Sequence, residues 1–359
     1  MVRQPLQPEV VELDSTFRAV DAGERIDQRL PEFFDVGWPA YRSWYLREGE
    51  AARPSYAECS HKLKQYMPEL VPSYDRLVEA VGGGDLEARF LSHWSPPPLF
   101  AACSLATWTR DSNVLIRNYD YPPLLCDNTV LRSAWNGTSV MAMSDCVWGA
   151  LDGVNASGLS VAIAFGGRPN VGEGFGIGLV VRYLLEFTRD VPEAIDALRR
   201  VPVQLSYNIA LVDASGHSAI VYVAPDREAV VTSDVVAANR QGQTEWPAHA
   251  AFCATVAREE AMHEVLQRPG VTATELAEQF LVAPIYRPTA ASTWGTVYTA
   301  VYNCDDRTLE LRWPDATWQL ALDPFVEGEH RRRSLVAVPQ PSFEPAPDHP
   351  PMHPPVLIA

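Results

Sequence analysis

The chain has 359 residues, 47% of them hydrophobic and 21% charged, which is ordinary for a soluble globular protein and long enough for one large or two medium domains. Its formal net charge of −16 excludes the dense Lys/Arg surface that nucleic acid or anionic membrane would need. Apolar runs are too short to span a bilayer, no secretory signal is visible after Met1, and a cytoplasmic location is the default expectation.

In chain order, residues 1–35 read as polar and irregular, followed by helices at 39–50, 54–67 and 72–82, the last stopped by Gly82-Gly83-Gly84. The run Ser95-Pro96-Pro97-Pro98 predicts an exposed, extended approach to Cys103. From 103 the hydrophobic period becomes two. Strands are expected at 103–108, 114–119, 138–143, 147–154, 158–165, 207–213, 218–224, 229–232 and 235–238, with helices at 175–189 and 191–200 among them. Helices at 247–267 and 272–281 and strands at 295–303 and 307–313 close the pattern, and a Pro-rich tail occupies 339–359. Strands grouped, then helices, then both again give an α+β fold in which two antiparallel sheets are packed between helix layers.

Six cysteines without a Cys-x-x-Cys pair argue against a disulfide framework or a thiolate zinc site, and eight histidines show no paired helical spacing, so no metal is expected. No Walker loop, dinucleotide fingerprint or Gly-x-Ser-x-Gly elbow is present, and no cofactor is expected. Chemistry instead centres on Cys103. It opens one strand of a hairpin whose other strand closes with Arg117-Asn118-Tyr119-Asp120, bringing a thiol, a guanidinium and a carboxylate to one end of a sheet. Arg117 and Asp120 are expected to pair there, Arg117 lowering the thiol pKa. Asn118 is expected to brace the loop.

This order of cysteine, short strand, turn and Arg-Asn-x-Asp resembles the acyl-CoA:6-aminopenicillanic acid acyltransferase (isopenicillin N acyltransferase) family of N-terminal-nucleophile hydrolases, related to the choloylglycine hydrolases. The resemblance implies a four-layer αββα sandwich at 103–338 preceded by a helical pro-segment, 1–102. It also implies a cut between Ala102 and Cys103 that frees the cysteine α-amine, of pKa about 7.7–8.0, to act as base. Ala102 departs from the glycine commoner at that place. Arg117 would position thiolate or substrate, Asp120 would hold the α-amine, and Asn208, in the strand leading to Asp213-Ala214-Ser215-Gly216, would donate to the oxyanion. Asn239 is a further site candidate. Phe165, Tyr119 and Tyr121 are expected to line an apolar or aromatic acyl pocket, and Gly166-Gly167 to begin a mobile loop at its border. The late arginine of bile-salt hydrolases has only Arg287 as a weak substitute, with Ser292-Thr293-Trp294 in its region. The partners implied are an N-acyl amide substrate, with acyl-CoA left open as donor, and the chain's own cleaved pro-segment. An unprocessed binding or scaffold protein on the same fold is the alternative.

Overall fold

The computed structural model describes residues 9–289 and 294–338. The Pro-rich tail, 339–359, and residues 292–293 lie outside them. Two sheets stack face to face. The smaller is built around the hairpin β2 (Ala102–Trp108) and β3 (Val114–Tyr121). Flanking that hairpin are β11 (Val236–Ala237) on one side and β12 (Gly295–Asn303), β13 (Thr308–Trp313) and β14 (Ala316–Ala321) on the other, in the order β11-β2-β3-β12-β13-β14.

The larger sheet has nine strands. It carries β1 (Glu9–Asp21), β4 (Thr129–Ser133), β5 (Val140–Asp145), β6 (Gly149–Asn155), β7 (Ser160–Phe165), β8 (Tyr207–Val212), β9 (Ser218–Ala224), β10 (Arg227–Thr232) and β15 (Gly328–Val338). Their order is β10-β9-β8-β7-β6-β5-β4-β1-β15. β2 and β3 lie on β7 and β8, so the core of Leu105, Leu115, Val161, Ile163 and Ile209 is closed from both faces. All residues of β2, β3, β6, β7 and β8 are buried, which explains their near-continuous apolar runs in place of strict alternation.

Helices α5 (Ile177–Phe187) and α6 (Val191–Arg200) cover the outer face of the large sheet. On the far side, α7 (Pro247–Phe252), α8 (Thr255–Leu266) and α9 (Ala273–Gln279) cover the small sheet, with Met262, Leu276 and Phe280 packed on Ala106, Ile116 and Val236. The result is the expected αββα sandwich.

Before Cys103 the chain holds α1 (Leu30–Tyr45), α2 (Tyr56–Tyr66), α3 (Val71–Ala80) and α4 (Asp85–Leu91). Three expectations fail there. The segment read as irregular contains β1, paired parallel with β4 and antiparallel with β15. Its outer half is exposed and charged, so composition hides a strand whose Phe17 and Ala19 are buried. The first helix starts at Leu30-Pro31, not at Pro39, which lies inside it; Phe34, Trp38, Tyr41 and Tyr45 share the face that packs around Phe90. Finally, Leu99 to Ala102 is not exposed: Phe100 packs edge-on against Phe165 and Trp246, and Ala102 is fully buried.

Candidate active site

The hairpin register sets the site. Cys103 faces Tyr119, and Leu105 faces Arg117, so the thiol and the guanidinium are diagonal neighbours on one face of the sheet. Arg117 Nη2 donates to Cys103 Sγ at 3.4 Å. Asp120 is three residues from Arg117, an odd step that sends it to the opposite face. The expected Arg117–Asp120 pair is therefore absent.

Each charge has another buried partner. Arg117 Nη1 bonds Asp152 of β6, in the facing sheet, and donates to the Tyr298 hydroxyl at 3.1 Å. Asp152 also accepts from Tyr298 at 2.7 Å and Tyr302 at 2.5 Å. The Arg117 guanidinium lies 4.6 Å from the Tyr119 ring centroid. On the other face, Asp120 Oδ1 accepts from Thr296 Oγ1 at 2.8 Å, and its Oδ2 lies 3.4 Å from Arg258 Nη1.

Sequence reasoning misses Arg258. It sits in Ala257-Arg258-Glu259-Glu260, a charged run that reads as a solvated helix face, yet it is fully buried. The helix expected at 247–267 breaks at Ala254, which has φ +51°, and the restart carries Arg258 inward. Its Nε donates to the Cys253 carbonyl at 2.8 Å. Nη1 donates to the Cys103 carbonyl at 2.6 Å and to Ser104 Oγ at 2.9 Å, while Nη2 donates to Asn239 Oδ1 at 2.6 Å. Arg287, the weak substitute for a late arginine, instead donates to the Phe252 carbonyl.

Asn239 touches the backbone of Cys103 and does not line the cavity beside its thiol. Its Oδ1 accepts from the Cys103 N–H at 3.2 Å and its Nδ2 donates to the Phe165 carbonyl at 2.8 Å. Gly167, at φ +69°, permits this approach, since a Cβ there would stand 2.0 Å from the Asn239 carbonyl oxygen. Asn208 does not present a free amide: Nδ2 donates to the carbonyls of Ala238 and Arg240, at 2.8 and 2.9 Å, clamping the residues on either side of Asn239. Both amide hydrogens are thereby committed. Asn118 donates to the carbonyls of Phe280 and Ile285, tying β3 to the loop after α9.

Burial raises the Cys103 thiol pKa, and Arg117 opposes that shift while Asp120 adds to it. Burial likewise raises Asp120, opposed by Arg258, Arg287 and the Thr296 hydrogen bond. The guanidinium therefore faces a thiol whose ionisation burial opposes. A cavity of about 80 Å³ opens on Cys103, Arg117, Tyr119 and Phe165, walled on the side of the preceding segment by His93, Leu99 and Ala101. Tyr121 is not on this cavity; it stacks on Tyr119 and lines a neighbouring one.

The family model described as acyl-coenzyme A:6-aminopenicillanic acid acyl-transferase matches residues 108–318, more than half of the sequence. The chain belongs to that family. Among curated proteins, none matches. Similar solved structures include a conjugated bile acid hydrolase from Clostridium perfringens, 12% identical over 67% of this chain and 100% of that one, with a TM-score of 0.44. A penicillin V acylase from Agrobacterium tumefaciens is 14% identical over 62% of this chain and 86% of its own, at TM-score 0.43. The Caenorhabditis elegans ortholog of N-acylethanolamine-hydrolyzing acid amidase is 16% identical over 61% and 99%, at 0.42. The acyl-transferase family thus comes from the sequence match, and the αββα architecture from the sheets themselves. No helix among the described residues is long and apolar enough to cross a membrane, and no cluster of metal-ligating side chains occurs among them.

Proposed function

We propose that the protein is a self-processing cysteine enzyme that cleaves or transfers an acyl group at a linear amide. One observation carries the reading: all three polar atoms of Cys103 are held, its Sγ by Arg117, its N–H by Asn239 and its carbonyl by Arg258. A merely structural cysteine has no use for such a setting.

In self-cleavage the Cys103 thiol attacks the Ala102 carbonyl carbon. The C–S bond forms, the C–N bond breaks, and the nitrogen takes up the thiol proton to become an α-amine. Water then attacks the thioester, releasing Ala102 as a carboxylate and restoring the thiol. The new amine, kept by Asn239 Oδ1 and close to Asp120 across the ladder, is the base for later turnover. An amide substrate repeats these steps: Sγ bonds the acyl carbon, the amine leaves with a proton, and water or an acceptor amine takes the acyl group. Arg117 stabilises the thiolate, Asp120 and Asn239 orient the amine, Arg258 fixes both, and Asn208 holds Asn239 in place. Phe165 and Tyr119 face the acyl group.

The competing reading, an unprocessed scaffold, is favoured by the packing of Leu99 to Ala102, which a protease-accessible linker would not show. Purified protein separates the two. Two fragments, the larger beginning Cys-Ser-Leu-Ala and both lost in Cys103→Ala, support the enzyme. One intact chain inert to thiol reagents supports the scaffold.

A further inference from the structure

Beside the thiol cavity lies a second and larger one, of about 200 Å³. The two share Trp44, Leu99, Asp145 and Cys146 as walls, and Leu99 belongs to the segment that a cut at Ala102 would free. The second chamber is lined by α1, by the loop after β3 and by the end of β5, among them Tyr41, Tyr121, Cys126, Asp127 and Asp145. No lysine, arginine or histidine lines it among the described residues. The Tyr41 hydroxyl donates to Asp127 at 2.7 Å. Tyr121 is 3% exposed and turns to this chamber as well as to Tyr119. Asp145, half-buried, has its carboxyl pushed up to about 6, chiefly by burial.

An amidase needs room on both sides of the scissile carbonyl. The thiol cavity is apolar on its acyl side, with Phe165, Leu151 and Ile163. The neighbouring chamber joins two carboxylates and two phenols with no cation in its own lining, Arg117 acting on Asp145 only from the thiol cavity, which is a setting that recognises an ammonium ion and repels a carboxylate.

We infer that this chamber receives the amine half of the substrate, and that this amine carries a second, positively charged nitrogen, seated between Asp127 and Asp145 with Tyr121 as an additional oxygen. The substrate class is then an N-acyl derivative of a diamine or similar basic amine, and not an N-acyl amino acid. The inference rests on Cys103 being the nucleophile, but the chamber can be tested without it. Titration of the full chain at pH 8 with n-butylamine, 1-butanol and butanoate, followed by NMR, compares a cation, a neutral molecule and an anion of equal size. Binding of the ammonium at least tenfold tighter than either of the others, lost in Asp127→Asn/Asp145→Asn, is expected. Equal binding of the three, or selectivity that survives in the double variant, overturns the inference.

Turnover supplies the second arm. Phenylacetyl amides of 1,4-diaminobutane, butylamine and 4-aminobutanoate should rank in that order of kcat/KM, the first at least tenfold above the second, with the ratio falling to near one in the double variant. A ratio of one in the wild type also overturns the assignment. If no amide is turned over while the ammonium is still selected, it is the nucleophile reading that fails.

Discussion

Asp152→Asn is the sharpest probe of how the thiol is tuned, because it removes a charge two groups away without touching Cys103. Asp152 and Arg117 are both buried, and the carboxylate accepts from Arg117 and two tyrosine hydroxyls. Removing one partner of a buried ion pair costs about 3–5 kcal/mol, since the other charge is left uncompensated. For a chain of this size, with an unfolding entropy of about 2 cal/mol/K per residue, that corresponds to a Tm loss of roughly 4–7 °C. The thiol should respond in the opposite sense. With Asp152 neutral, the Arg117 charge has the thiolate as its remaining counter-ion; at roughly 6 Å and an effective dielectric of about 20, the lost repulsion is ~3 kcal/mol, or one to two pKa units once partial screening is allowed for. Iodoacetamide alkylation of Cys103 as a function of pH should therefore shift to lower pH in a protein that is less stable to urea. Unaltered or raised thiol pKa alongside the stability loss would refute the relay from Asp152 through Arg117.

Arg258→Met should slow self-cleavage by about tenfold or more, because it releases the Cys103 carbonyl and Asn239 together and leaves Asp120 buried without its guanidinium; processing followed on gels in a variant confirmed as folded by circular dichroism decides this, and unimpaired processing would make Arg258 a packing residue. His93 is buried and its pKa is depressed to about 4 by burial, so the unfolded chain takes up its proton first as pH falls below 6.5. Stability from this group is thus whole above pH 6.5 and lost as pH falls towards 4, by on the order of 2–3 kcal/mol between pH 7 and 4.5. His93→Phe should show a shallower acid loss in urea titrations at the two pH values; identical losses would contradict the assignment.

Local chemistry is legible in the sequence and partnership across layers is not. Cys103 and Arg117 fall into place because a hairpin with period two leaves little freedom in register, and Asn239 stands out as a polar residue ending an apolar strand. Pairing Arg117 with Asp120 weighs closeness in sequence above the alternation of faces, and the alternation wins. Asp152 cannot be found this way, since it reaches Arg117 from the opposite sheet and nothing in Ala150-Leu151-Asp152-Gly153 indicates which strand it faces. Arg258 is masked by the glutamates beside it. Asn208, given to the oxyanion by the resemblance, spends its amide instead on the carbonyls of Ala238 and Arg240, partners that no local pattern reveals.

The pairing of β1 with β15 has a consequence for how the chain could be rewired. Glu9 stands opposite Val338 at the end of an antiparallel ladder that runs to Ala19 opposite Gly328. The first and last described strands therefore meet as the two arms of a hairpin that lacks only its turn. A cut at residue 102 would leave the earlier fragment clasped between β4 and β15, inseparable from the rest without dismantling the large sheet. By the same geometry, a short turn from Val338 to Glu9 would let the chain be opened at Cys103 instead. Such a permutant would be translated with the thiol already at its start, so that trimming of an initiator methionine would stand in for the self-cleavage proposed above.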